Sequence, residues 1–75
     1  MALLIPPAVH KQLAAMPRTD AKRLLDRLTQ IAEAPTERHP NVSPLVGAPG
    51  SYRVRQGNWR AVYSIENDGD VIVDR

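Results

Sequence analysis

The apolar residues of this chain change their period near residue 40: before it they recur at helical spacing, and after it they alternate. Val9, Leu13 and Met16 stand at i, i+4 and i+7 behind Pro6 and Pro7. Prolines suit a first helical turn, where the missing N–H has no partner in any case. Pro17 ends this helix, and Thr19 or Asp20 is positioned to cap the next. Leu24, Leu28 and Ile31 make one stripe, broadened by Ala21, Leu25 and Ala32, while Lys22, Arg23, Asp26, Arg27 and Gln30 fill the solvated side. The spacing predicts an amphipathic helix from about Thr19 to Ala34, stopped by Pro35. The tight connection Pro17–Asp20 predicts that the two helices form an antiparallel hairpin.

Pro35–Gly50 reads as a loop, because it holds Pro35, Pro40, Pro44, Pro49, Gly47 and Gly50; Val42, Leu45 and Val46 are expected to tuck against the core. Strands follow. Tyr52 and Val54 alternate with Arg53 and Arg55. After the turn signal Gln56-Gly57-Asn58, Trp59, Ala61, Tyr63 and Ile65 alternate with Arg60, Val62, Ser64 and Glu66. Asn67-Asp68-Gly69-Asp70 is a second hairpin turn, leading to Val71-Ile72-Val73, and Ala2–Ile5 is a short N-terminal strand candidate. The architecture this predicts is α+β: a helical hairpin packed on a small antiparallel sheet of three strands. Val71–Val73 is expected to be an apolar edge strand, open to pairing with a second copy of the chain.

Composition removes whole classes of function. The chain has 75 residues, of which 43% are hydrophobic and 24% charged, which fits an ordinary folded domain rather than a disordered segment. With no cysteine there is no disulfide scaffold and no thiol nucleophile. The longest apolar run, Ala2–Ile5, is far too short for a membrane span or a signal peptide, so the expectation is a soluble cytoplasmic protein. A chain this short buries a thin core, so a partner that stabilises it by binding is expected.

Charge is unevenly placed. Arg38, Arg53, Arg55 and Arg60 lie between residues 38 and 65 with no acid among them, whereas residues 66–75 carry Glu66, Asp68, Asp70 and Asp74 and a single arginine. Arginine stays charged at every working pH and grips phosphate with a two-pronged fork. Arg53, Arg55 and Arg60 on facing strands, with Tyr52, Trp59 and Tyr63 interleaved, form a candidate phosphate or RNA site with a stacking surface. The plain alternative is a solvated polar strand face with an aromatic core beneath it. The remaining candidates are weaker. His10 and His39 without cysteine do not make a metal site, and no cofactor is expected. His39, before Pro40, reads as an exposed loop residue. Ser43, Ser51 and Ser64 have no triad partners. The four acids read as a solubilising edge that discourages strand pairing.

The runs Pro44-Leu45-Val46-Gly47, Gly50-Ser51-Tyr52-Arg53-Val54-Arg55 and Gly57-Asn58-Trp59-Arg60-Ala61-Val62-Tyr63-Ser64-Ile65, followed by a turn and Val71-Ile72-Val73, resemble the RelE/ParE toxin superfamily of type II toxin–antitoxin modules, and its RelE branch in particular. Trp59 stands where that pattern usually has tyrosine. The resemblance implies a RelE-like toxin domain over residues 1–75 acting as a ribosome-dependent mRNA endoribonuclease, in which the substrate's 2′-hydroxyl attacks the adjacent phosphate. By position, Arg60 matches the phosphate-stabilising arginine, and Arg53 and Arg55 match two basic positions that orient the mRNA. Arg38 joins these three as a nucleic-acid contact. The implied partners are a RelB-like antitoxin, the ribosome and mRNA. RelE-like chains continue past the last strand with a glycine, an arginine and a tyrosine. Here the sequence stops at Arg75, so the expectation is a C-terminally truncated toxin that lacks a strand and cleaves slowly or not at all. The alternatives are a ParE-like DNA gyrase inhibitor, which needs no convergent phosphate site, and an inactive remnant that still binds an antitoxin.

Overall fold

The structure, a computed structural model, describes residues 2–74; Met1 and the closing Arg75 lie outside them. Seven elements follow one another: β1 (Leu3–Leu4), α1 (Pro7–Ala14), α2 (Arg18–Glu33), β2 (Val42–Pro44), β3 (Ser51–Gln56), β4 (Trp59–Ile65) and β5 (Val71–Val73). Both helices lie on one face of the sheet, giving the expected two-layer α+β arrangement.

Each helix begins on a proline, but one cap differs from expectation. Pro6 precedes α1 in extended conformation, with Pro7 in the first turn. In α2 the cap position is Pro17, not Thr19 or Asp20, and no side chain caps the helix. The Pro17 carbonyl takes the first helical bond, from the Ala21 N–H at 2.9 Å, which draws Thr19 and Asp20 into the first turn. Asp20 there complements the positive end of the helix dipole.

The sheet is larger than the sequence suggested and is mixed. Its order is β1-β5-β4-β3-β2. β3 and β4 form the central hairpin, with Val54 opposite Ala61, Arg55 opposite Arg60, and Gln56 opposite Trp59. The two-residue turn between them places Gly57 at φ 61, a left-handed conformation that glycine takes without strain. β2 was expected to be loop. Val42 pairs with Val54, Ser43 with Arg53, and Pro44 with Tyr52, in spite of the proline. Proline is tolerated there because β2 is an edge strand and needs no donor on its outer side.

The expected open edge at Val71–Val73 is also corrected. β1 runs parallel to β5, with Leu3 beside Val71 and Leu4 beside Ile72, so β5 is an inner strand. Asp70 helps hold β1 in place: its carboxylate accepts from the Ala2 N–H at 3.0 Å, while the Val71 N–H donates to the Ala2 carbonyl at 2.9 Å. This acid therefore fastens a strand instead of discouraging pairing. The two true edges are blunt. β1 spans two residues and leads into Pro6 and Pro7, and β2 spans three, follows Pro40 and ends on Pro44. Neither gives the long row of free donors that dimerisation through an edge requires.

Alternation along the strands separates the two faces. Val54, Ala61, Tyr63, Val71 and Val73 are buried beneath Val9 and Leu13 of α1 and Leu24, Leu28, Ile31 and Ala32 of α2. The opposite face carries Arg53, Arg55 and Arg60 in solvent and is not covered by a second helical layer among the described residues.

Candidate functional site

The outer face of the central hairpin is where charge gathers. Arg53 and Arg55 are two apart on β3 and share a face, and Arg60 on β4 stands directly across from Arg55. With Asn41, Val42 and Ser43 they line one open cleft of ≈ 280 Å³. No carboxylate is among its lining residues. Like charges directly opposite each other weaken a strand pair. The Arg55–Arg60 pairing therefore costs stability in the free protein, and an anion between the guanidinium groups would offset that cost. The one internal hydrogen bond of these three side chains among the described residues is a long one, from Arg55 Nε to the Gly57 carbonyl at 3.4 Å. The donor forks are thus free for a ligand.

Arg38 is not brought into this group. It lines a different cavity, together with Glu37, His39, Tyr52 and Tyr63, on the helix side of the sheet. The aromatic residues do not form the stacking surface considered above. Tyr52 and Tyr63 face each other across β3 and β4 with ring centroids 5.6 Å apart and planes 23° apart. They sit on the face opposite the arginines, and Tyr63 is 1% exposed. Trp59 is 37% exposed and lines an apolar cavity against α1. The two tyrosines thus lie on the core side of the sheet, beneath the exposed arginines. His39 is half-buried rather than free, and its Nε2–H donates to the Ala34 carbonyl at 2.7 Å, satisfying one of the orphan acceptors at the end of α2.

Two further residues fix the β2 side of the cleft, one of them read differently from the sequence and one not read at all. Arg27, expected on the solvated side of α2, is half-buried and its guanidinium donates to the Pro40 carbonyl. Its position three residues after Leu24 and four before Ile31 borders the buried stripe, and that spacing was a usable signal. Asn41 is the single non-glycine residue with positive φ, at 60°, among the described residues. Its carbonyl accepts from the Arg55 N–H at 3.0 Å. A lone asparagine after a proline in a loop gives no comparable warning in the sequence.

The chain matches the family of ParE toxins of type II toxin–antitoxin systems, parDE, over residues 3–75. It belongs to that family. Solved structures place the toxin's fold within the RelE/ParE superfamily. The RelE–RelB complex of the archaeon Pyrococcus horikoshii OT3 is 26% identical, with a TM-score of 0.80 over 96% of this chain and 86% of that one. The RelBE2 toxin–antitoxin complex of Mycobacterium tuberculosis is 17% identical, with a TM-score of 0.80 over 99% and 91%. The intact RelBE complex of E. coli is 23% identical, with a TM-score of 0.78 over 96% and 88%. No curated protein sequence matches the chain. Among the described residues, no helix of the toxin is long and apolar enough to cross a membrane, and no three His, Asp or Glu side chains gather as metal ligands.

Beneath the arginine face, burial pushes the Tyr63 hydroxyl from its ordinary 10.0 up to about 12; the Tyr52 phenol adds to the rise and the Arg27 guanidinium opposes it. The folded toxin thus holds this proton more tightly than the unfolded chain. The associated stability is complete below pH 10.0 and is lost as pH climbs toward about 12. Urea midpoints measured across that range are expected to fall with pH, and Tyr63→Phe is expected to flatten the decline.

Proposed function

We propose that the arginine cleft binds the phosphodiester backbone of RNA and that this toxin is a ribosome-dependent mRNA endoribonuclease. The convergence of Arg53, Arg55 and Arg60 on one acid-free cleft carries this reading. In the reaction, the O2′–P bond forms, the P–O5′ bond breaks, the 2′-hydroxyl gives up its proton, and the 5′-oxygen takes one as it leaves. Negative charge builds on the phosphoryl oxygens in between. Guanidinium forks fixed on paired strands would stabilise that charge without having to reorganise. Arg60 takes this role, while Arg53 and Arg55 hold and orient the backbone. An arginine does not release its proton, so these groups act as clamps and not as bases. The described residues lining the cleft include no carboxylate or imidazole, so we assign proton transfer to groups other than these, and the ribosome is one source of them. The likeness to RelE chains solved with RelB supports an antitoxin partner, for which an acidic segment laid over the cleft is the complementary chemistry.

The match to ParE toxins favours a second reading, inhibition of DNA gyrase without cleavage. The test adds the toxin to translating ribosomes and maps mRNA ends by primer extension, with a gyrase supercoiling assay in parallel. Cuts within the message and unimpaired supercoiling are expected. Binding to a short single-stranded RNA is expected to weaken with salt at a log–log slope of about −2, as for three phosphate contacts at roughly 0.7 each. Intact mRNA together with blocked supercoiling and a flat salt response favours the gyrase reading and sinks the first.

A further inference from the structure

The cleft has two chemically different walls. β3 and β4 supply three cations, whereas the β2 side supplies the neutral polar residues Asn41 and Ser43, with Ser43 directly opposite Arg53. Asn41 is the more constrained of the two. Its left-handed backbone is held from two directions: the Arg55 N–H bonds its own carbonyl, and Arg27 of α2 bonds the carbonyl of the preceding Pro40. The turn needs a residue that accepts positive φ, and glycine would meet that need with less strain than any side chain. Asparagine adds an amide that is both donor and acceptor, exposed at the mouth of a cationic cleft. A phosphate would use only the donor half of that amide. The groups that flank a phosphate in RNA, the ribose hydroxyl and the base edge, are neutral and hydrogen-bond in both senses.

We infer that Asn41 is a specificity-determining residue of the cleft: with the phosphate gripped by Arg53, Arg55 and Arg60, its side-chain amide hydrogen-bonds the neutral polar edge of the adjoining ribonucleotide. This rests on the reading of the cleft as an RNA site and adds to it the distinction between RNA and a bare polyanion.

The test compares the full chain with its Asn41→Gly variant, which keeps the turn and removes only the amide. Circular dichroism and thermal melting are expected to match. Affinity for a short single-stranded RNA, measured by fluorescence anisotropy, is expected to fall about three- to tenfold, the loss of one or two hydrogen bonds. Affinity for inorganic polyphosphate is expected to stay the same. Repeating the comparison on the 2′-deoxy oligonucleotide identifies the group: a penalty that disappears marks the sugar hydroxyl, and one that persists marks the base edge. Equal RNA affinity of the two proteins overturns the inference, as does an equal loss on polyphosphate, which would mean that the amide serves the phosphate itself or that the arginines had moved. A wild-type chain that does not bind RNA overturns the RNA reading itself, and is seen before the variant is made.

Discussion

Arg60→Ala is expected to lower the rate of ribosome-dependent mRNA cleavage about 10²–10³-fold, the usual cost of removing one group aimed at charge that develops in the transition state. The same variant is expected to melt no lower than the wild type. Arg60 is exposed, makes no internal hydrogen bond among the described residues, and stands opposite Arg55. Its removal relieves a like-charge cross-strand pair and opens no cavity in the core. Loss of activity at unchanged or slightly raised stability separates a residue that serves the ligand from one that serves the fold. Arg60→Lys sharpens the result, because it keeps the charge and loses the planar fork; partial recovery is expected, short of the wild-type rate. Single-turnover cleavage rates and thermal melts of the three proteins make the measurement. Full activity in Arg60→Ala would remove the cleft from the chemistry.

Where a residue's neighbours lie a few positions away in sequence, the fold could be read directly. The period-two run of β3 and β4 placed Arg53, Arg55 and Arg60 on one face and Val54, Ala61 and Tyr63 on the other, as found. The helical stripe of Leu24, Leu28 and Ile31 was equally legible. What escaped depends on distant partners. The strand at Ala2–Ile5 was legible but its pairing with β5 was not: Asp70 and Val71, almost seventy positions later, hold the Ala2 backbone, and two leucines carry no period that names a partner. β2 is three residues long and ends in proline, so its pairing with β3 left no alternation to detect. The same limit applied to the cleft. Its cationic wall lies on regular strands and could be placed, whereas its neutral wall depends on one left-handed residue fixed by Arg27 and Arg55. Arg38 was grouped with the other arginines by sequence proximity alone, whereas it precedes the turn at Pro40–Asn41 and lines a cavity with Tyr52 and Tyr63 instead of the cleft.

Leu28→Ala tests the other half of the molecule and is expected to weaken the toxin by destabilising its fold. Leu28 is fully buried at the centre of the contact between α2 and the sheet. Truncating such a leucine costs about 2–5 kcal/mol, through lost apolar transfer and the cavity left behind. A chain of 75 residues at roughly 0.05–0.15 kcal/mol each has only about 4–11 kcal/mol in total. A fall in melting temperature of more than about 10 °C is therefore expected, since 1 kcal/mol moves a domain of this size by about 4–8 °C. Leu25→Ala, at a half-buried position of α2 on the margin of the core, is expected to cost clearly less. The two losses of activity, from Arg60→Ala and from Leu28→Ala, then differ in kind. A binder specific for the folded state stabilises it by about 2.7 kcal/mol at a hundredfold excess over its dissociation constant. Short polyanions that occupy the cleft should therefore raise the melting temperature of Leu28→Ala, whose arginines are intact. They should do markedly less for Arg60→Ala, where the contact itself is gone. If polyanions protect both variants equally, the anion is held somewhere other than between the guanidinium groups of β3 and β4.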